Sequence, residues 1–158
     1  VDFEDFYATS KDACLRAVMA TVGSRQLAEE TVAEAFARAW ASWPKLSAHP
    51  APRAWIVRTA LNVHVSWWRR WRREVPAVEW TDPIQPPPDD DLPDPRLMAA
   101  LRTLPPRQRQ VIALRIFLDL DTETTARTLG IAPGTVTAHL ARATAALRAC
   151  LAPTTGQE

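Results

Sequence analysis

An all-α fold of two small helical domains, joined by a proline-rich acidic linker, is predicted by three observations. Apolar residues recur at three- and four-residue spacing through most of the chain, and no run alternates as a half-buried strand would. Residues 74–95, EVPAVEWTDPIQPPPDDDLPDP, hold half of the 14 prolines, a density that neither a helix nor a central strand tolerates. The stretch from Leu120 to Arg148 has the layout of a helix-turn-helix, with Ala126, Gly130 and Val136 at the spacing such a motif needs. The alanine lets two helices approach closely. The glycine ends the first helix in a left-handed conformation that a side chain disfavours. Pro133 fits the first turn of the second helix, where a missing N–H costs nothing.

The first domain spans residues 1–73. Phe3, Phe6 and Tyr7 form a one-turn apolar patch. Ser10 caps a helix running to about Val22, with Cys14, Leu15, Val18, Met19 and Val22 on one stripe. Gly23-Ser24 breaks and recaps the chain. The next helix runs from Arg25 to about Trp43, with Ala28, Val32, Ala35, Phe36, Ala39, Trp40 and Trp43 inward and Glu29, Glu30, Glu34 and Arg38 outward. Pro44, Pro50 and Pro52 bound a loop, and a third helix runs from about Arg53 to Arg73.

The linker, 74–95, reads as extended and semi-rigid. The second domain spans 96–152 and leaves a tail at 153–158. Asp94-Pro95 caps its first helix, on which Leu97, Leu101 and Leu104 repeat. Pro105-Pro106 stops that helix and starts another through Val111, Leu114 and Leu118. On the final helix Val136, Leu140, Ala143, Leu147 and Leu151 point inward, leaving Thr135, Thr137, Ala138, His139 and Arg142 outward near its start. That start is the part of a helix-turn-helix that enters a major groove. Two packed helices with no DNA are the plain alternative.

Composition removes several classes. A hydrophobic content of 47% suits packed cores rather than disorder. No apolar run approaches the roughly 20 residues of a membrane span, so no membrane insertion is expected. The acidic start, Val-Asp-Phe-Glu-Asp, argues against a signal peptide. Cys14 and Cys150 lie far apart, which gives no metal spacing and no disulfide scaffold, and a reducing cytoplasm is the simplest compartment. His49, His64 and His139 are scattered with no cysteine or carboxylate set nearby, so no catalytic site, metal or cofactor is expected.

Net charge is only +1, yet it is strongly segregated. Residues 53–73 hold six arginines and no acid, whereas 74–95 hold seven acids and no base. From Trp67 to Arg73, three tryptophans sit among four arginines. Single-stranded nucleic acid is held by such a combination: aromatic faces stack on bases, at roughly 1–3 kcal/mol each, and guanidinium groups meet phosphates. Packing is the competing role. Trp67 and Trp71, four apart, can share a buried face, while Trp68 stands between core and DNA.

With these features on the page, the whole chain resembles the sigma-70 family of bacterial RNA polymerase initiation factors, in its small extracytoplasmic-function (ECF) class. Ala28 to Trp40 looks like the family's polymerase-binding helix. Trp55-Ile56, Thr59-Ala60 and Asn62 look like its promoter-melting segment. Leu104-Pro105 to Arg109, then Gly134-Thr135-Val136, look like its second DNA-binding domain. The paired tryptophans before the arginines resemble an actinobacterial branch.

The resemblance implies core RNA polymerase and promoter DNA as partners, with an anti-sigma factor as a further partner class and a monomer as the free state. Glu29, Glu30, Glu34 and Arg38 would dock on polymerase. Asn62 and Trp68 would hold the unpaired minus-ten strand, with Arg69, Arg70, Arg72 and Arg73 on duplex phosphates upstream. Thr135, Thr137, His139 and Arg142 would face the minus-thirty-five element. Ala33, Ser66 and the run Thr137-Ala138-His139 depart from the family's pattern, and the last removes two positive charges from the groove-facing turn. The linker would thread polymerase's channels as a mimic of RNA, pair with the basic tract in the free chain, or simply be solvated. An autonomous helix-turn-helix regulator acting without polymerase is the rival reading.

Overall fold

The computed structural model describes residues 1–74 and 94–153. Nearly all of the expected linker and residues 154–158 therefore lie outside the described residues. Every regular element described is helical: α1 Phe3–Val22, α2 Arg25–Ala41, α3 Trp43–Leu46, α4 Pro52–Glu74, α5 Pro95–Arg102, α6 Pro106–Ile112, α7 Thr122–Leu129 and α8 Pro133–Leu151. Between α6 and α7, Ala113–Phe117 continue α6 as a π turn.

Helix α1 begins earlier than the sequence reading placed it. Asp2 caps it by accepting from the Asp5 N–H at 2.9 Å, and Glu4 and Asp5 favour the positive end of the helix dipole. Ser10, expected as the cap, is instead buried in mid-helix and accepts from Arg53 Nε at 3.0 Å. Gly23 ends α1 at φ 73°, and its N–H returns to the Met19 carbonyl. Ser24 then caps α2. Helix α2 stops at Ala41 rather than Trp43, because Pro44 fits only the first turn of a new helix, α3.

In the second unit the capping logic holds as read. The Asp94 carboxylate accepts from the N–H groups of Arg96 and Leu97. Gly130 closes α7 at φ 67°, with its N–H on the Ala126 carbonyl. Ala126, Val111 and Val136 pack together where α6, α7 and α8 meet, and Val136 is wholly buried. The small Ala126 side chain is what permits that approach.

The larger core was not foreseen as one body. Phe6, Val18, Phe36, Ile56 and Val57 of the first unit belong to the same buried cluster as Leu101, Leu104, Leu114 and Leu118 of the second. Helix α1 packs on α2 and α4 on one side, and on α5, α6 and the π turn on the other. Each fully buried Ile or Leu there contributes about 1.5–3 kcal/mol from area removed from water. Trp40 departs from its expected inward place and is 63% exposed. Leu147 and Leu151 are half-buried, lining an open apolar groove of about 450 Å³ together with the exposed Ile116.

Two outcomes follow for the fold. Burial pushes the Cys14 thiol up to about 12, while Cys150 is exposed. A thiol reagent should therefore modify one cysteine in the native chain and both in denaturant; two fast equivalents in the native chain would contradict this packing. Gly130→Ala should cost roughly 1–2 kcal/mol in urea unfolding, since its backbone is left-handed. Gly134→Ala, with open space at its Cβ and no positive φ, should be neutral or stabilising.

Candidate nucleic-acid interface

Helix α4 is the most basic surface. Pro52 stands at its first position, and no acid occurs before Glu74. Its inner face, Ile56, Val57, Ala60 and Val63, is buried. At about 100° per residue, Trp55, Arg58, Asn62, Arg69 and Arg73 share one outer face. Arg58, Asn62, Arg69 and Arg73 are exposed, as are Arg70 and Arg72 beside them. Trp68 lies about 120° round the helix from Asn62. Its ring is half-buried and carries the Arg72 guanidinium 4.8 Å from the centroid, a cation–π stack. The Trp68 Nε1 is buried without a hydrogen-bond partner. Trp67 is half-buried and Trp71 is half-exposed, so neither enters the core as the spacing alone allowed.

The face of α4 that carries Asn62 fronts a cleft of about 440 Å³. Trp55, Arg58, Thr59 and Asn62 form one wall; Thr124, Arg127 and Thr128 of α7 form the other. Behind it, half-buried His64 lies near Arg109 of α6, and burial together with that positive charge lowers its pKa below the usual 6.5. Periodicity pointed to none of these cross-unit neighbours, because Arg109, Arg127 and Thr128 are more than forty residues downstream of the α4 side chains they face.

The second surface is α8. Val136, Ala143 and the half-buried Leu140 and Leu147 face inward. Thr135 and Arg142 lie on one edge of the outward arc and Thr137 on the other, with Ala138 between. Thr135, Thr137 and Arg142 are exposed, whereas His139 is half-buried with its Nδ1 covered and unpartnered. The Thr137 hydroxyl donates to the Pro133 carbonyl at 3.2 Å.

The third surface is α2. Glu29 and Glu30 are exposed, and Glu34 is partly so. Arg25 Nε lies 2.9 Å from Glu29, Arg38 Nε lies 3.0 Å from Glu34, and Gln26 donates to Glu30. Pairs this exposed contribute only about 0.2–1 kcal/mol, so a partner's charges exchange with them at little cost. Beside the carboxylates, exposed Trp40 packs edge-on to Phe3 at 5.1 Å. An exposed tryptophan next to a charged rim is a common anchor of protein interfaces. Sequence periodicity hid it by placing Trp40 on the inner stripe.

Comparison with known proteins defines the class. Residues 6–74 match the family described as Sigma-70 region 2, and residues 95–147 match Sigma-70, region 4. The RNA polymerase sigma-E factor of Streptomyces coelicolor is 34% identical over 154 residues, covering 94% of this chain and 85% of the relative. That of Streptomyces antibioticus is 33% identical over 150 residues, covering 94% and 83%. The sigma factor RpoE from Bartonella quintana, solved in complex with the anti-sigma factor NepR, superposes with a TM-score of 0.76 at 23% identity, covering 95% of this chain and 96% of that one. This chain belongs to the sigma-70 family, in its ECF class.

One pH effect follows from the site. His64 is harder to protonate in the fold than in the unfolded chain, so the unfolded chain takes up that proton first as pH falls through the ordinary histidine value. Stability present above that value should be lost below it. Urea midpoints should fall between about pH 7.5 and about pH 5.5, and His64→Gln should flatten part of that slope. An identical slope in the variant would remove His64 as its source.

Proposed function

We propose that this chain is an ECF sigma factor that binds core RNA polymerase and directs it to promoters, supplying promoter choice while polymerase supplies the catalysis. The observation that carries this is the pairing, on one chain, of a basic tryptophan-bearing helix with a helix-turn-helix unit, each matching its sigma-70 region. An autonomous duplex-binding regulator has no use for a surface built to hold single strands.

We assign residues 1–73 to polymerase binding and minus-ten work, 74–95 to the connecting linker, 96–152 to the minus-thirty-five element, and 153–158 to a tail. Glu29, Glu30, Glu34 and Arg38 would dock on polymerase, with Trp40 added as an apolar anchor because it is exposed beside them. Asn62 would contact an extruded base; unstacking costs a few kcal/mol that a pocket can offset. Arg69 and Arg73 share the Asn62 face and would track the same strand. Arg72, stacked on Trp68 at one flank of that face, and Arg70 at the other would meet phosphates of the adjoining duplex. On α8, Thr135 and Arg142 would reach one edge of the groove and Thr137 the other, while the Ala138 methyl suits an apolar contact with thymine. The half-covered His139 has the weakest claim of the four. An anti-sigma factor, the partner class of the Bartonella quintana protein, is extended to this chain on the same likeness.

Titration into core RNA polymerase tests the proposal. The wild-type chain should bind saturably in the nanomolar range, and Glu30→Lys with Glu34→Lys should weaken binding by at least about tenfold while leaving the helical circular dichroism intact. Unchanged affinity would sink the docking face. Asn62→Ala with Trp68→Ala should keep polymerase binding but impair opening of duplex promoters, with activity restored on a pre-melted template.

A further inference from the structure

We infer that the cleft between α4 and α7 binds a free purine nucleoside di- or triphosphate, as a small-molecule site that stands independently of the function proposed above. The first observation is size. The cleft holds about 440 Å³, and a neighbouring cavity of about 330 Å³ shares Arg58, Asn62 and Thr128 with it. Small-ligand pockets span roughly 300–1,000 Å³. An inorganic phosphate leaves most of that space unfilled, whereas a base, a ribose and two or three phosphates match the two lobes together.

The second observation is the order of side chains along the wall. Trp55, Thr59 and Asn62 lie on one side of α4 and span roughly 10 Å at ~1.5 Å per residue, room for a base and its sugar. Trp55 is half-buried and packed on the core, so its indole offers a fixed face on which a base can stack. The side chains of Thr59 and Asn62 make no hydrogen bond among the described residues. That leaves a hydroxyl and an amide for the base edge and the ribose. His49 also lines the cleft; its Nδ1 accepts from the Ala51 N–H at 3.0 Å, so Nε2 carries the ring proton as a further donor.

The third observation is charge. Arg58 and Arg127 line the cleft from opposite walls, Arg107 lines the neighbouring cavity, and no carboxylate lines either one among the described residues. Such a lining repels cations and attracts an anion. Arg58 and Arg107 are engaged on the carbonyls of Thr128 and Leu129, and they add positive potential. Arg127 is exposed and makes no hydrogen bond among the described residues, so its planar fork is left for the phosphates. With a guanidinium group as their partner, the phosphates need no bridging divalent ion.

The test is isothermal titration calorimetry of ATP, GTP, adenosine and inorganic pyrophosphate into the full chain, in buffer containing EDTA. ATP and GTP should each saturate one site, at least about tenfold tighter than adenosine or pyrophosphate, because base and phosphates are held together. Arg127→Ala should weaken ATP binding by about tenfold, the worth of one charged hydrogen bond. Arg148→Ala removes an equal charge from α8 beside the apolar groove, outside the cleft, and should leave ATP affinity unchanged. Pyrophosphate binding as tightly as ATP would overturn the site, leaving only a general attraction of basic surface for anions. Equal losses in the two variants, or no saturable ATP binding, would overturn it as well. If Arg127→Ala loses its helical circular dichroism, Arg127→Gln retains most of the side chain and serves in its place.

Discussion

The burial of α1 on two sides is the constraint on which the rest of the structure depends. Cys14, Ala17, Val18 and Ala20 are at most 2% exposed, and most of them are small. Small side chains let α2 and α4 close in from one side and the π turn with α5 and α6 from the other. Dense interiors tolerate little change in volume, so this one helix fixes the spacing of both units. The raised Cys14 pKa follows from the same burial, with nearby Arg53 too weak to offset it.

Because α1 absorbs the apolar faces, charge is free to sort itself on the outside. Carboxylates gather on α2, arginines on α4, and mostly neutral polar groups on the start of α8. The three surfaces differ in chemistry. Acidic α2 suits a basic protein surface. Arginine-rich α4 suits phosphate, where the planar guanidinium fork binds best. The start of α8, short of positive charge, has little attraction for phosphate.

The shared core also couples these surfaces. Arg58 shows it most directly, standing on the Asn62 face of α4 while donating to a carbonyl of α7. A side chain cannot serve a helix terminus and a phosphate at once.

Much of this was legible in the chain. Capping residues and prolines set the order of elements, because N–H satisfaction at helix ends is a local matter; Gly23, Gly130, Asp94 and Pro133 all act within a few residues of themselves. The basic, acidic and helix-turn-helix surfaces were legible too, since periodicity places a side chain on a face of its own helix. Ser10 and Trp40 were misplaced for one reason. Both sit where either of two local patterns is permitted, and the choice fell to distant groups, Arg53 for the serine and the crowded Phe3, Phe6 and Phe36 rings for the tryptophan. The meeting of α4 with α7, and of Arg102 with Gly23, was decided only by tertiary structure. Contacts across 70 and 79 residues depend on how two apolar faces fit, and no local spacing encodes that.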